Sequence, residues 1–175
     1  MNDLVAAFET SAGEAAADVF FVDDVPGKVR DAIEQLTRDE KWIVLGIGEF
    51  LSSRVVKELR EIPRVLQDPT DEQLSTAQVG VSDAFAGVAS SGSVCIAMGP
   101  PFVATSSLLM PLHIVILAAE RIVARPRDLF NPECLGGAGV HRNLVFITGP
   151  SATADMGPLV RGVHGPHRLQ IVVVR

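Results

Sequence analysis

Tyrosine is absent, tryptophan occurs once, and aromatic residues make up 5% of the chain. Nucleic-acid surfaces stack bases on rings set among basic residues, and no such basic stripe with interleaved aromatics runs through this sequence. A net charge of −6 at pH 7 also opposes a polyanionic partner. The two cysteines, Cys95 and Cys134, cannot supply the four thiolates of an ordinary iron–sulfur cluster or a Cys₄ zinc site. No apolar run reaches the length of about eighteen residues that a membrane span requires. Met1 to Glu9 carries acidic residues where a signal peptide has a basic start. The chain is therefore expected in the cytosol. Gly-Lys-Ser/Thr occurs nowhere, which removes Walker-type phosphate binding.

What is present fits an ordinary globular domain: 175 residues, 47% hydrophobic and 21% charged. That length predicts one domain over 1–175 with a core large enough to need no staples. The acid is concentrated at the front, where residues 1–75 hold 8 Lys/Arg against 16 Asp/Glu. Residues 76–175 reverse this, with 7 Lys/Arg against 5 Asp/Glu and all four histidines. An anionic ligand therefore belongs to the back half.

Val25, Val29, Ile33 and Leu36 recur at helical spacing behind Asp23-Asp24, whose carboxylates suit a helix N-terminus. Short apolar runs on either side, 19–22 and 42–45, read as buried strands. A second helix is predicted from about Glu49 to Glu61, with Leu51, Val55 and Leu59 on one face, ending before Pro63. Alternation of strand and helix at this spacing points to parallel pairing and an α/β fold. Further buried strands are expected at 94–97, 113–117, 144–148 and 169–174. Gly149 to Pro166 is a long polar, glycine-rich connection between two of them, and connections of that kind in compact domains are usually functional.

Gly46-Ile47-Gly48 follows a strand as a dinucleotide fingerprint does, but Leu51 occupies the third glycine position. A plain strand-to-helix turn is the better reading. Thr148-Gly149-Pro150-Ser151-Ala152-Thr153-Ala154-Asp155 carries three hydroxyls and a carboxylate out of a strand towards Arg161 and His164. Ser151 and Thr153 can donate to carboxylate or phosphate oxygens, and Gly149 allows close backbone approach. The alternative is a turn bonded to its own backbone, with Asp155 capping a short helix. Ser151, Asp155 and His164 do not make a hydrolase elbow, because Thr153 stands at the second glycine position. His164, between glycines, suits proton exchange. His164 and His167 lack further ligands nearby, so no metal is expected. His113 and Cys95 lie in apolar runs and read as core residues, while Cys134 reads as a loop thiol.

Ile147 to Asp155, followed by Val160-Arg161-Gly162-Val163-His164-Gly165-Pro166 and an apolar strand, resembles the LUD domain of the lactate utilization protein C family. Pro111-Leu112-His113-Ile114-Val115, Val79 to Ala84 and Ala89 to Ser93 add to the resemblance, which is strongest over 76–175. It implies a single α/β sandwich around a mainly parallel sheet, similar to the sugar-phosphate isomerase and CoA-transferase superfamily. The N-terminus begins at what resembles the first helix of that sandwich. The resemblance also implies a role in bacterial oxidation of lactate to pyruvate, as the cluster-free component beside an Fe–S oxidoreductase subunit.

No cofactor is implied. A pocket for a small anionic ligand is expected from Ser91, Gly92, Gly149, Ser151, Thr153, Asp155 and His164, with His164 and Asp155 as the reactive groups. Ser90, Ala152 and Gly157 stand where the family pattern carries charged side chains, which removes a candidate carboxylate nucleophile and a cation. Two alternatives remain: an enzyme acting on a CoA thioester or sugar phosphate, and a catalytically silent assembly module.

Overall fold

The computed structural model describes residues 2–131, 134, 143–154 and 157–175. In chain order the elements are α1 (Asn2–Glu14), β1 (Asp18–Val22), α2 (Lys28–Leu36), β2 (Ile43–Gly46), α3 (Ser53–Arg60), β3 (Val65–Leu66), α4 (Asp71–Thr76) and β4 (Val79–Asp83). There follow β5 (Ala86–Val88), β6 (Ser93–Met98), a π-helical turn (Thr105–Leu109), β7 (Leu112–Ala118), β8 (Ile122–Val123), β9 (Asn143–Ile147), β10 (Ala152–Thr153), β11 (Val160–Arg161) and β12 (Arg168–Val174).

Six strands form the main sheet in the order β1-β12-β7-β4-β2-β3, every pair parallel. Its central strands are apolar on both faces because both faces are covered. Ile114 and Ile116 of β7 join Val79, Val81 and Val172 against Val29 and Ile33 of α2 and Val55 and Leu59 of α3. The alternate residues, Val115 and Leu117, join Ile171 and Val173 against Phe8 and Ala12 of α1 and Val94 and Ile96 of β6. Each fully buried aliphatic side chain contributes about 2 kcal/mol.

The mainly parallel α/β sandwich expected from the sequence is therefore present, with an addition that periodicity did not resolve. A second sheet, β8-β5-β6-β9, covers one face of the first. It pairs β5 with β6 and β6 with β9 antiparallel, so the run at 144–148 is an antiparallel strand.

Two helix starts also differ from expectation. The first predicted helix begins at Lys28, behind Gly27 in the left-handed region at φ 80°. Asp24 instead pairs with Arg54, and Asp23 lies 3.6 Å from Arg175. The second begins at Ser53, where the Ser52 hydroxyl accepts the Val55 N–H at 3.4 Å, because a serine cap satisfies an orphan donor that Glu49 would leave free.

Candidate functional site

A parallel sheet has two unlike poles, and the candidate residues fall at both. At the amino ends of β7 and β12, the His167 and Arg168 N–H groups both donate to the Pro111 carbonyl, at 2.8 and 3.2 Å. This fixes the end of a hairpin in which Thr153 of β10 faces Val160 of β11. Ser151 is strapped at both backbone groups: its N–H donates to Pro166 at 2.9 Å and its carbonyl accepts from Gly162 at 2.8 Å. Thr153 and His164 consequently line one cavity of about 340 Å³, together with Ala154 and Val163. The exposed His164 also borders a neighbouring cavity of about 420 Å³ beside Leu108 and Leu109.

Ser91, Gly92 and Gly149 form a separate group. The Ser91, Ser93 and Thr148 hydroxyls make a chain with successive distances of 2.7 and 2.7 Å. Gly92 and Gly149 both meet the last turn of α1: a Cβ on Gly92 would lie 2.2 Å from Ala12 N, and one on Gly149 would lie 1.9 Å from Ala15 O. Gly149 was expected to let backbone approach a ligand closely, and what it approaches here is a helix. Asp155 lies outside the described residues. Ser151, Thr153 and His164 are thus brought into one hairpin, while Ser91, Gly92 and Gly149 seat the second sheet on α1. Ser90 and Ala152 are exposed.

At the opposite pole the sequence missed Asp83, which ends β4 almost wholly buried, 2% exposed. Its two carboxylate oxygens accept the Gly48 N–H at 2.6 Å and the Phe50 N–H at 2.9 Å. Desolvation raises its pKa above the usual carboxylate value, against the opposing pull of these two bonds. The sequence signals were Gly46-Ile47-Gly48, whose turn Asp83 holds, and the stretch Val79 to Ala84 that contains it. Replacing Asp83 by alanine is expected to remove the acceptor of both bonds and cost about 2–4 kcal/mol. Urea unfolding of Asp83→Ala checks this, and a midpoint equal to wild type would refute it.

Two further groups are sequestered. His113 is fully buried, with Nε2 2.9 Å from the Ser82 hydroxyl. Desolvation lowers its pKa to about 3. Burial likewise pushes the Cys95 thiol up to about 11, so it is not a nucleophile at neutral pH. Among the described residues, no three His, Cys, Asp or Glu side chains gather in a metal-binding group.

The model of the LUD domain matches residues 5–174. The chain belongs to the LUD domain family. Two relatives named Lactate utilization protein C support this at modest identity. That of Bacillus subtilis is 32% identical over 79% of this chain and 61% of its own length. That of Shouchella clausii is 30% identical over 78% of this chain and 59% of its own. An uncharacterized protein of Neisseria meningitidis is 30% identical over 59% of this chain and 45% of its own length. This LUD domain therefore spans about half to three-fifths of the length of the curated relatives it matches. A crystal structure of a DUF162 family protein from Deinococcus radiodurans superposes with a TM-score of 0.73 at 18% identity, covering 99% of this chain and 98% of that one. The likeness extends the shared fold to the whole LUD domain. No helix among its described residues is long and apolar enough to cross a membrane.

Proposed function

We propose that this LUD domain serves a bacterial lactate-utilisation system as a component without an iron–sulfur cluster, and that its hairpin at the amino pole holds a small carboxylate. The placement of Thr153 and His164 in one cavity carries the reading, supported by the names of the two Lactate utilization protein C relatives. The Thr153 hydroxyl donates to a carboxylate oxygen, and the imidazole of His164 donates to the anion or exchanges a proton with a hydroxyl on it. Ser151, strapped at both its N–H and its carbonyl, fixes the strand that presents Thr153. Ser91, Gly92 and Gly149 lie outside this cavity and act on it only by seating the second sheet on α1.

The test is a thermal-shift comparison of wild type and His164→Ala with L-lactate and pyruvate. Ligand at a hundred times its dissociation constant adds about 2.7 kcal/mol, a rise of roughly 5–10 °C in the midpoint. The rise is expected in wild type and not in the variant. Equal shifts in both proteins would remove His164 from the site.

A second reading is favoured by the surface around the same histidine. Leu109, Val160 and Val163 are 72%, 51% and 51% exposed, and apolar groups grouped at a groove suit a protein partner. In that reading the domain is a silent assembly module. Stable co-purification with an Fe–S oxidoreductase subunit, while neither acid shifts the midpoint, would select it.

A further inference from the structure

A cavity of about 390 Å³ opens at the carboxyl ends of β2 and β3, at the pole opposite the hairpin. Its lining is mixed and more polar than apolar: Leu45, Ile47, Leu66 and Phe102 supply apolar surface, and Arg60, Gln67 and Asp68 supply polar groups. Ligand cavities of a few hundred Å³ combine apolar side chains with a small number of placed polar groups.

Three observations show how this one is built. The first concerns Gly46, the last residue of β2. A Cβ there would lie 2.5 Å from Val103 Cα and 2.6 Å from the Phe102 carbonyl, so only glycine lets the Phe102–Val103 backbone roof the strand end. The second is Phe102 itself, a non-glycine residue at φ 63°. Residues held in that region cost on the order of 1–3 kcal/mol and persist where surrounding structure fixes them, commonly at ligand clamps.

The third is charge. Among the described residues Arg60 and Asp68 make no ion pair with each other or with any other group. The neighbouring cations of α3 are engaged: Arg54 with Asp24 and Glu58, and Lys57 with Glu61. The Gln67 side-chain amide donates to the Arg60 carbonyl at 2.9 Å, which ties the segment after β3 to the end of α3 and leaves its amide oxygen free to accept.

We propose that the cavity beneath Phe102 binds a flat aromatic ligand that carries one anionic group, held by the Arg60 guanidinium, and an N–H or hydroxyl donor, received by Asp68 or the Gln67 amide oxygen. The ring of the ligand packs on Phe102 and Leu66. A guanidinium binds planar carboxylates and phosphates through two parallel hydrogen bonds, and Phe102 and Leu66 offer an aromatic body an apolar contact that a small acid lacks. Nucleoside monophosphates and hydroxylated aromatic acids share this chemistry.

Isothermal titration of the whole chain with AMP and with 4-hydroxybenzoate tests the proposal, with inorganic phosphate and benzoate as probes lacking the body and the donor. At least one of the first two is expected to bind, more tightly than phosphate or benzoate. Arg60→Gln should weaken that binding tenfold or more and Asp68→Asn several-fold. Both substituted side chains are exposed, and unchanged midpoints without ligand confirm that the variants fold. Binding by AMP alone identifies a nucleotide site, and binding by 4-hydroxybenzoate alone an aromatic-acid site. Absence of binding by both at about 5 mM, a probe affinity unchanged in Arg60→Gln, or amide shifts at the hairpin instead of at Leu66 and Phe102 overturns it.

Discussion

Gly149→Ala is expected to lower stability by about 3 kcal/mol or more. Two causes act together. Gly149 sits at φ 71°, where an L side chain is strained. Its Cβ would also lie 1.9 Å from the Ala15 carbonyl oxygen, which is backbone and cannot rotate aside. Either the end of β9 or the last turn of α1 must move, and α1 carries Phe8 and Ala12 into the core between the two sheets. For a domain of this size such a loss lowers the thermal midpoint by roughly 6–12 °C.

Gly13→Ala is the matched control on the same helix. Nothing lies within 4 Å of its Cβ, and alanine in a helix is better than glycine by up to about 1 kcal/mol. The two substitutions should therefore move the midpoint in opposite directions. A Gly149→Ala midpoint within about 2 °C of wild type would mean that α1 does not press on this residue.

Acid should unfold the domain largely through His113. Its folded pKa of about 3 lies below the value of about 6.5 expected in the unfolded chain. The folded state therefore excludes a proton that the unfolded state binds as pH falls below the unfolded value. Stability from this residue is complete above about pH 6.5 and is lost progressively down to about pH 3, amounting to about 3 kcal/mol between pH 7 and pH 4. Asp83 acts in the opposite sense, because its raised pKa makes the folded state bind a proton earlier than the unfolded one.

Comparing wild type with His113→Gln separates the two, since Asp83 is common to both. Urea unfolding at pH 7 and pH 4 should show a fall in wild type larger by about 3 kcal/mol than in the variant. Equal falls would place the acid sensitivity elsewhere.

Local patterning in the sequence was enough to locate β1, β2, β6, β7, β9 and β12, because runs such as Ile114 to Leu117 are buried on both faces and carry no polar interruption. It was not enough for the second sheet. β5 has three residues and β8 two, too short for any period, and their pairing is decided by distant partners. The glycine after Thr148 did announce close approach. A sequence without a partner map gives no sign whether the approaching group is a ligand or the backbone of a distant helix, and here it is α1.

The hairpin residues Ser151, Thr153 and His164 were legible as a group because their separation is short and their glycines are many. The cavity under Phe102 was not. Left-handed backbone is ordinarily marked by glycine or asparagine, and here it falls on a phenylalanine after two prolines. Arg60, Leu66 and Asp68 meet it only because β2 and β3 are neighbours.

The placement of β1 has a kinetic consequence. Among the described strands β1 pairs with β12 alone, in parallel register from Asp18↔Gln170 to Val22↔Val174, and β12 also joins it to β7. On the ribosome, at about 5–20 residues per second, β1 emerges well before β12 and waits for about 150 further residues before its neighbour exists. Phe20 and Phe21 spend that interval without their sheet, and the closure that ends it spans about 150 residues, the kind of non-local pairing that slows folding and exposes a chain to misassembly.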